Sequence, residues 1–143
     1  MRFMSIVKSS EEHRMSAPPQ ALMNAVGKLG DELTRAGVMV GMGGLLPSSM
    51  GGFRVRQQGR KLAITDGPFT EAKELIGGFA IFEVASRDEA MELAIRFMEL
   101  HLEHWPDWEG ETEVRQMFEG DGCADAAAVP EASQQALRQP HSC

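Results

Sequence analysis

The sequence predicts an α+β domain in which an antiparallel sheet carries both helices on one face. Strand-like and helical segments follow one another in the order β-α-β, hairpin, β-α-β. The segment Gly78–Val84 is apolar at both alternating sets of positions, so a sheet built around it needs cover on both faces. The chain has 143 residues, of which 43% are hydrophobic and 24% charged. That is enough for one domain with its own core.

The first β-α-β unit occupies the N-terminal third of the chain. Met1–Lys8 is predicted as its first strand. A polar loop follows and ends in prolines, which commonly begin a helix. The helix is predicted over Gln20–Ala36, where leucines recur at helical spacing, and Gly37 is placed to end it. Val38–Leu46 is the second predicted strand.

A hairpin and a second β-α-β unit complete the pattern. Phe53–Arg56 and Lys61–Thr65 flank a polar turn, and we predict a hairpin there. Gly78–Val84 begins the next unit, and its helix is predicted over Arg87–Leu102, after a capping box. Thr112–Phe118 is the last predicted strand.

This order is the split β-α-β arrangement of a ferredoxin-like fold. Both helices pack on one face of such a sheet, which leaves the other apolar face open. We therefore expect a homodimer in which two open faces stack as a dimeric α+β barrel. Residues 1–119 are predicted to form the domain. Residues 120–143, rich in small and polar residues, are predicted as a flexible C-terminal tail.

Charge and cysteine content argue against several classes of partner. The formal net charge is −7, and no basic cluster is interleaved with aromatics, so nucleic acid is not expected as a partner. No apolar run approaches the length of a membrane span or a signal peptide, so no membrane association is expected. Cys123 and Cys143 lack metal-ligand or disulfide spacing. We interpret them as reduced thiols of a cytoplasmic protein.

The candidate polar site lies around the sequence Asp-Gly-Pro-Phe. Asp66 is a candidate catalytic base or cation ligand, although an Asx-type bond to backbone N–H groups of the turn is the interpretation that we favour. Arg54, Arg56 and Arg115 lie on predicted strands, and Lys73 follows the turn. If these four cations converge near Asp66, they form a binding site for an anion.

Two histidines near the end of the second helix are possible metal ligands. His101 and His104 have no third ligand at motif spacing, so no metal is predicted. The nearby Trp105 and Trp108 are expected to close the edge of the core or the dimer interface. No nucleotide-binding glycine motif is present, and no cofactor is expected.

With these elements placed, the sequence resembles the YCII-related family, in its DGPF-domain branch, over roughly Met1–Glu119. The matching residues are Asp66-Gly67-Pro68-Phe69, Glu71, Lys73-Glu74, Gly77-Gly78-Phe79, Ala36-Gly37-Val38, Gly44-Leu45, Pro47-Ser48-Ser49, Val55-Arg56 and Glu113-Val114-Arg115-Gln116. The resemblance implies a ferredoxin-like dimeric barrel with a polar cleft near the dimer interface. Relatives are mostly of unproven function.

The resemblance leaves two functions open. The first is an enzyme-like protein for a small polar metabolite. The second is a non-catalytic dimeric binding or regulatory module, linked to an extracytoplasmic-function sigma factor as some family members are. The chain also departs from the family pattern at two positions. Val26 stands where YCII-type relatives carry a histidine, and Gly43 stands where DGPF relatives often carry an acidic residue. Both departures remove acid/base groups and count against catalysis.

Overall fold

The computed structural model describes residues 1–10, 16–69 and 74–119. The predicted tail and its two cysteines lie outside these ranges. The elements in chain order are β1 (Arg2–Ser9), α1 (Gln20–Arg35), β2 (Met39–Gly44), β3 (Phe53–Gln58), β4 (Lys61–Asp66), β5 (Leu75–Glu83), α2 (Arg87–His104) and β6 (Gly110–Gln116).

Four of the strands form one sheet in the order β2-β5-β1-β6, and every neighbouring pair is antiparallel. The two central strands are the first strands of the two β-α-β units, as the split β-α-β arrangement requires. The structure thus confirms the predicted ferredoxin-like α+β fold. The inserted β3–β4 hairpin forms a separate two-stranded sheet.

The core lies between the sheet and the helices. Phe3 of β1 and Phe82 of β5 are register partners, and both are buried against Leu33 of α1 and Ala90 of α2. Val84 joins the same cluster. The alternation of β5 therefore places Phe82 on the helix-covered face, an assignment that the sequence had left open.

The opposite face of the sheet, which we call the open face, is apolar at its centre. Met4 and Ile6 of β1 lie beside Ile81 and Phe79 of β5, and all four are half-buried in a single chain. Lys8 lies on the same face of β1 and forms an ion pair with Glu113 of β6, so charge borders the apolar strip. The hydrogen bond to Glu113 raises the pKa of Lys8 above its ordinary value.

The strand ends differ from the predicted ones where glycine permits close packing. β5 begins at Leu75, three residues before the predicted first residue Gly78, which lies inside the strand. A Cβ at Gly78 would be 3.0 Å from the carbonyl oxygen of Gly43 on β2. β6 begins at Gly110, where a Cβ would overlap the Trp108 indole. Glycine inside a strand often marks such a close approach.

The predicted capping box of α2 is present in a shifted form. The Ser86 hydroxyl accepts the Glu89 N–H at 3.2 Å, as predicted. The Glu89 carboxylate accepts the N–H of Ala85 at 3.0 Å, one residue earlier than the usual partner.

In the part of the chain that the structure describes, no helix is long and apolar enough to cross a lipid bilayer.

Candidate functional site

The Asp66–Phe69 turn is held by the loop around Ser48. The Gly67 N–H donates to the Gly52 carbonyl at 2.8 Å, and the Gly52 N–H donates to the Ser48 carbonyl at 3.1 Å. The Phe69 N–H donates to Ser48 Oγ at 3.2 Å. A Cβ on Gly67 would overlap the Ser48 carbonyl oxygen. The glycine of the motif is therefore explained by the close approach of two backbone segments.

Asp66 does not form the Asx-type hydrogen bond expected of it. An Asx turn uses the N–H two residues further on, and Pro68 has no N–H. The next N–H, that of Phe69, is already bonded to Ser48. The Asp66 side chain is exposed and makes no hydrogen bond or ion pair with the described residues. Its role as a catalytic base stays a prediction.

The predicted cations lie on different surfaces. Register pairs Phe53 with Asp66, so Arg54 and Arg56 lie on the opposite face of the β3–β4 hairpin from Asp66. The Arg54 guanidinium stacks 3.9 Å from the centre of the Phe69 ring. Arg115 belongs to the four-stranded sheet, and its Nε lies 4.0 Å from Oε1 of Glu113. Lys73 lies outside the described residues. Convergence of these groups around one anion stays a prediction.

A separate cavity of about 300 Å³ lies between the helices and the sheet. We call it the helix–sheet cavity. Its walls are mainly apolar, and the lining includes Leu22, Val26, Leu29, Met39, Met42 and Phe97. The polar groups among the described lining residues are the side chains of Ser5, Ser9, Ser16 and His101 and the indole N–H groups of Trp105 and Trp108, and no lysine, arginine or carboxylate is among them.

His101 enters the cavity wall from the last turn of α2 as a neutral imidazole. Its Nδ1 lies 3.1 Å from the Phe97 carbonyl oxygen. A carbonyl can only accept, so Nδ1 carries the proton. Burial lowers the pKa of His101, and the bond to Phe97 opposes that shift only in part. Near neutral pH the other ring nitrogen, Nε2, therefore keeps a lone pair. No hydrogen-bond partner for Nε2 is found among the described residues.

Two serines on the inward face of β1 also line the cavity, and they differ in one respect. Both are buried, with exposed fractions of 4% for Ser5 and 5% for Ser9. The Ser5 hydroxyl is hydrogen-bonded to that of Thr112. The Ser9 hydroxyl has no side-chain partner in the described ranges. A buried hydroxyl without a partner is costly, so Ser9 needs an explanation.

Trp108 connects Ser9 with His101. Ser9 is the register partner of Gly110, and the Trp108 indole packs over Gly110, where any side chain would collide with it. The same indole lies 4.6 Å from the His101 ring, centre to centre. Ser9 and His101 therefore belong to one end of the cavity, which we call the polar end.

Sequence reasoning missed the polar end. It considered His101 only as a possible metal ligand. A signal was nevertheless present in β1, because Phe3, Ser5, Val7 and Ser9 alternate on the side that faces the helices. Two serines at core-facing positions of a strand indicate polar groups inside the core.

The comparison with family models supports the resemblance seen in the sequence. A model described as the YCII-related domain matches residues 1–98, which is more than half of the chain. The chain belongs to the YCII-related family. The match ends within α2, so β6 lies beyond it. The comparison with curated proteins gave no match. Membership of the DGPF-domain branch stays a prediction.

The two departures from the family pattern have distinct surroundings in this YCII-related chain. Val26 lines the helix–sheet cavity, so the position of the family histidine is apolar here. Gly43 lies against the Phe79 ring, and a Cβ there would be 3.0 Å from the nearest ring carbon. An acidic side chain at Gly43 would require the ring to move. Neither position offers an acid/base group.

Proposed function

We propose that this YCII-related chain is a homodimeric small-molecule-binding protein whose ligand occupies the helix–sheet cavity. One observation carries the proposal: a mainly apolar cavity of about 300 Å³ whose described lining includes a few polar side chains. Ligand sites typically have volumes of about 300–1,000 Å³ and this distribution of polar groups. The volume favours a small ligand.

The chemistry of the wall favours a neutral, mainly apolar ligand. The described lining residues include no charged side chain that could balance a charged ligand. Transfer of an unpaired charge from water into such a site is strongly unfavourable. The polar metabolite expected from the sequence was assigned to Asp66 and the arginines, which do not line this cavity. That ligand and the sigma-factor partner stay predictions.

Fluorescence of the two tryptophans offers a direct test. Trp105 and Trp108 both line the cavity, and the chain has no other tryptophan and no tyrosine. Methylcyclohexane and cyclohexanol absorb little at the excitation wavelength of tryptophan, so a titration reports on the cavity itself. We expect a saturable change in the emission of the full-length protein with both compounds, and a matching heat of binding by calorimetry.

Two variants make this test specific. Val26→Phe fills part of the cavity from α1 and should weaken binding at least tenfold. Ile95→Phe makes the same kind of change on α2, in a second groove between α2 and β6 that is separate from the helix–sheet cavity, and should bind as the wild type does. Absence of saturable binding to the wild type, or binding unaffected by Val26→Phe, would overturn the proposed function.

The homodimer is supported by apolar surface that a single chain leaves exposed. On one face of the hairpin, Phe53, Val55, Leu62 and Ile64 have exposed fractions of 65%, 54%, 71% and 72%. The centre of the open face adds half-buried apolar side chains. Contiguous apolar surface of this kind usually marks a contact with another chain. A second copy offers the same surfaces in matching positions.

A further inference from the structure

We propose that the helix–sheet cavity selects a neutral compound with a hydroxyl group, and that the hydroxyl binds at the polar end to Ser9 and His101. This inference rests on the proposed function and adds the chemical class of the ligand. The ligand hydroxyl donates its proton to Nε2 of His101 and accepts one from Ser9 Oγ. The apolar body of the ligand occupies the remainder of the cavity.

His101 sets the direction of the first hydrogen bond. Its Nδ1 is committed to the Phe97 carbonyl, 3.1 Å away. In the neutral ring Nε2 can therefore only accept. The polar group of the ligand must then carry a proton. A ketone, ether or ester of the same size lacks that proton and gains nothing from Nε2.

Ser9 provides the second hydrogen bond and an independent reason for a ligand. Its exposed fraction is 5%, it lines the cavity, and its hydroxyl has no partner among the described residues. A hydroxyl can donate and accept at the same time. A ligand hydroxyl can therefore form hydrogen bonds with Ser9 and His101 at the same time. An ammonium or carboxylate group would instead be a charge without a counter-ion in the described cavity wall.

The test compares three ligands that share a six-membered ring. Cyclohexanol has the hydroxyl, methylcyclohexane replaces it by a methyl group, and cyclohexanecarboxylate replaces it by a charge. Affinities are measured at pH 7.5 for the wild type, Ser9→Ala, His101→Phe and Ser49→Ala. Phenylalanine at position 101 keeps a ring against Phe97 and Trp108. Ser49→Ala is the control, because Ser49 is an exposed serine that does not line the cavity.

We expect Ser9→Ala and His101→Phe each to lower the affinity for cyclohexanol, relative to that for methylcyclohexane, by roughly two- to tenfold. This is the range for one net hydrogen bond. Ser49→Ala should leave that ratio unchanged. If neither ring compound binds the wild type, the proposed function fails. If both bind but the ratio is insensitive to Ser9 and His101, only the present inference fails. Tighter binding of cyclohexanecarboxylate than of cyclohexanol also overturns it.

A spectroscopic measurement separates a direct contact from a change in packing. The nitrogen chemical shifts of the His101 ring distinguish a protonated nitrogen from an unprotonated one. We expect Nε2 to be unprotonated in the free protein and its shift to move on addition of cyclohexanol, but not of methylcyclohexane. A proton on Nε2 of the free protein at pH 7.5, or equal movement with both compounds, contradicts the proposal.

Discussion

Asp66 and Gly67 are neighbours in one turn, yet the structure limits their side chains in opposite ways. The Asp66 carboxylate is exposed and makes no hydrogen bond or ion pair with the described residues. At Gly67 the Ser48 carbonyl occupies the space that a Cβ would take. The two positions therefore allow the structural and the functional explanations of the motif to be tested separately.

We expect Gly67→Ala to lower the free energy of unfolding by about 1–3 kcal/mol, the usual cost of overpacking. The backbone of Ser48 must move to admit the methyl group. Gly44→Ala is the matched control, because no heavy atom lies within 4 Å of a Cβ placed there. Urea unfolding measures both variants. Equal stability of the two would show that the close approach at Gly67 is unimportant.

Asp66→Asn should leave the free energy of unfolding within about 0.5 kcal/mol of wild type, as for most surface substitutions without a partner. The same urea titration checks this. A loss well above that value would indicate a structural role for the carboxylate. If stability is kept, any effect of Asp66→Asn on a measured activity belongs to function.

The stability of the protein should depend on pH through His101. Burial lowers the pKa of His101 below its ordinary value of 6.5, so the unfolded chain takes up this proton at a higher pH than the folded one. This contribution to stability is complete above pH 6.5. It is lost as the pH falls through the lowered folded value. We expect the wild type to lose more stability than His101→Phe between pH 7.5 and pH 5.5. Parallel losses would exclude the effect.

Sequence reasoning at the residue scale succeeded for local patterns and failed for contacts between distant segments. The DGPF motif was found, but its partner Ser48 precedes Phe69 by 21 residues, and nothing in the local pattern joins them. The Asx-type interpretation of Asp66 overlooked the missing N–H of Pro68. The Ser9 hydroxyl lacks a hydrogen-bond partner among the described residues because of how distant segments pack around it. The sequence alone could not predict this.

At the scale of single elements, α2 depends on its first turn. Ser86 accepts the Glu89 N–H, and removal of such a cap typically costs about 0.5–2 kcal/mol. We expect Ser86→Ala to lower the free energy of unfolding by about 1 kcal/mol in urea. Ser49→Ala, in an exposed loop position, is the control and should change little. A loss for Ser49→Ala as large as that for Ser86→Ala would contradict the role of the cap.

Helices were predicted more closely than strands. Periodicity, a capping box and a terminal glycine define a helix locally, and α1 and α2 differ from prediction by one and two residues at their C-terminal ends. The beginnings of β5 and β6 depend instead on what packs against Gly78 and Gly110. The sequence alone does not say whether a glycine separates two elements or permits a close contact within one.

At the scale of the whole molecule, the predicted assembly is a homodimer through the open face. Ile81→Lys places a charge at the centre of that face, and we expect it to yield a monomer by light scattering at micromolar concentration. Ile95→Lys introduces the same charge on the half-exposed side of α2 and should remain dimeric. Deletion of residues 120–143 should also preserve the dimer. A folded wild-type monomer would refute the assembly.

The order of the main sheet bears on how the protein is made. β1 precedes the other strands of the sheet in the chain, yet it lies inside the sheet and pairs with β5 and β6, which begin at Leu75 and Gly110. During most of synthesis both edges of β1 have no strand to pair with, and the apolar side chains of β1 are exposed to solvent. Unpaired strands of this kind are prone to aggregate. We therefore expect the risk of aggregation to last until β6 has been synthesised and has paired with β1.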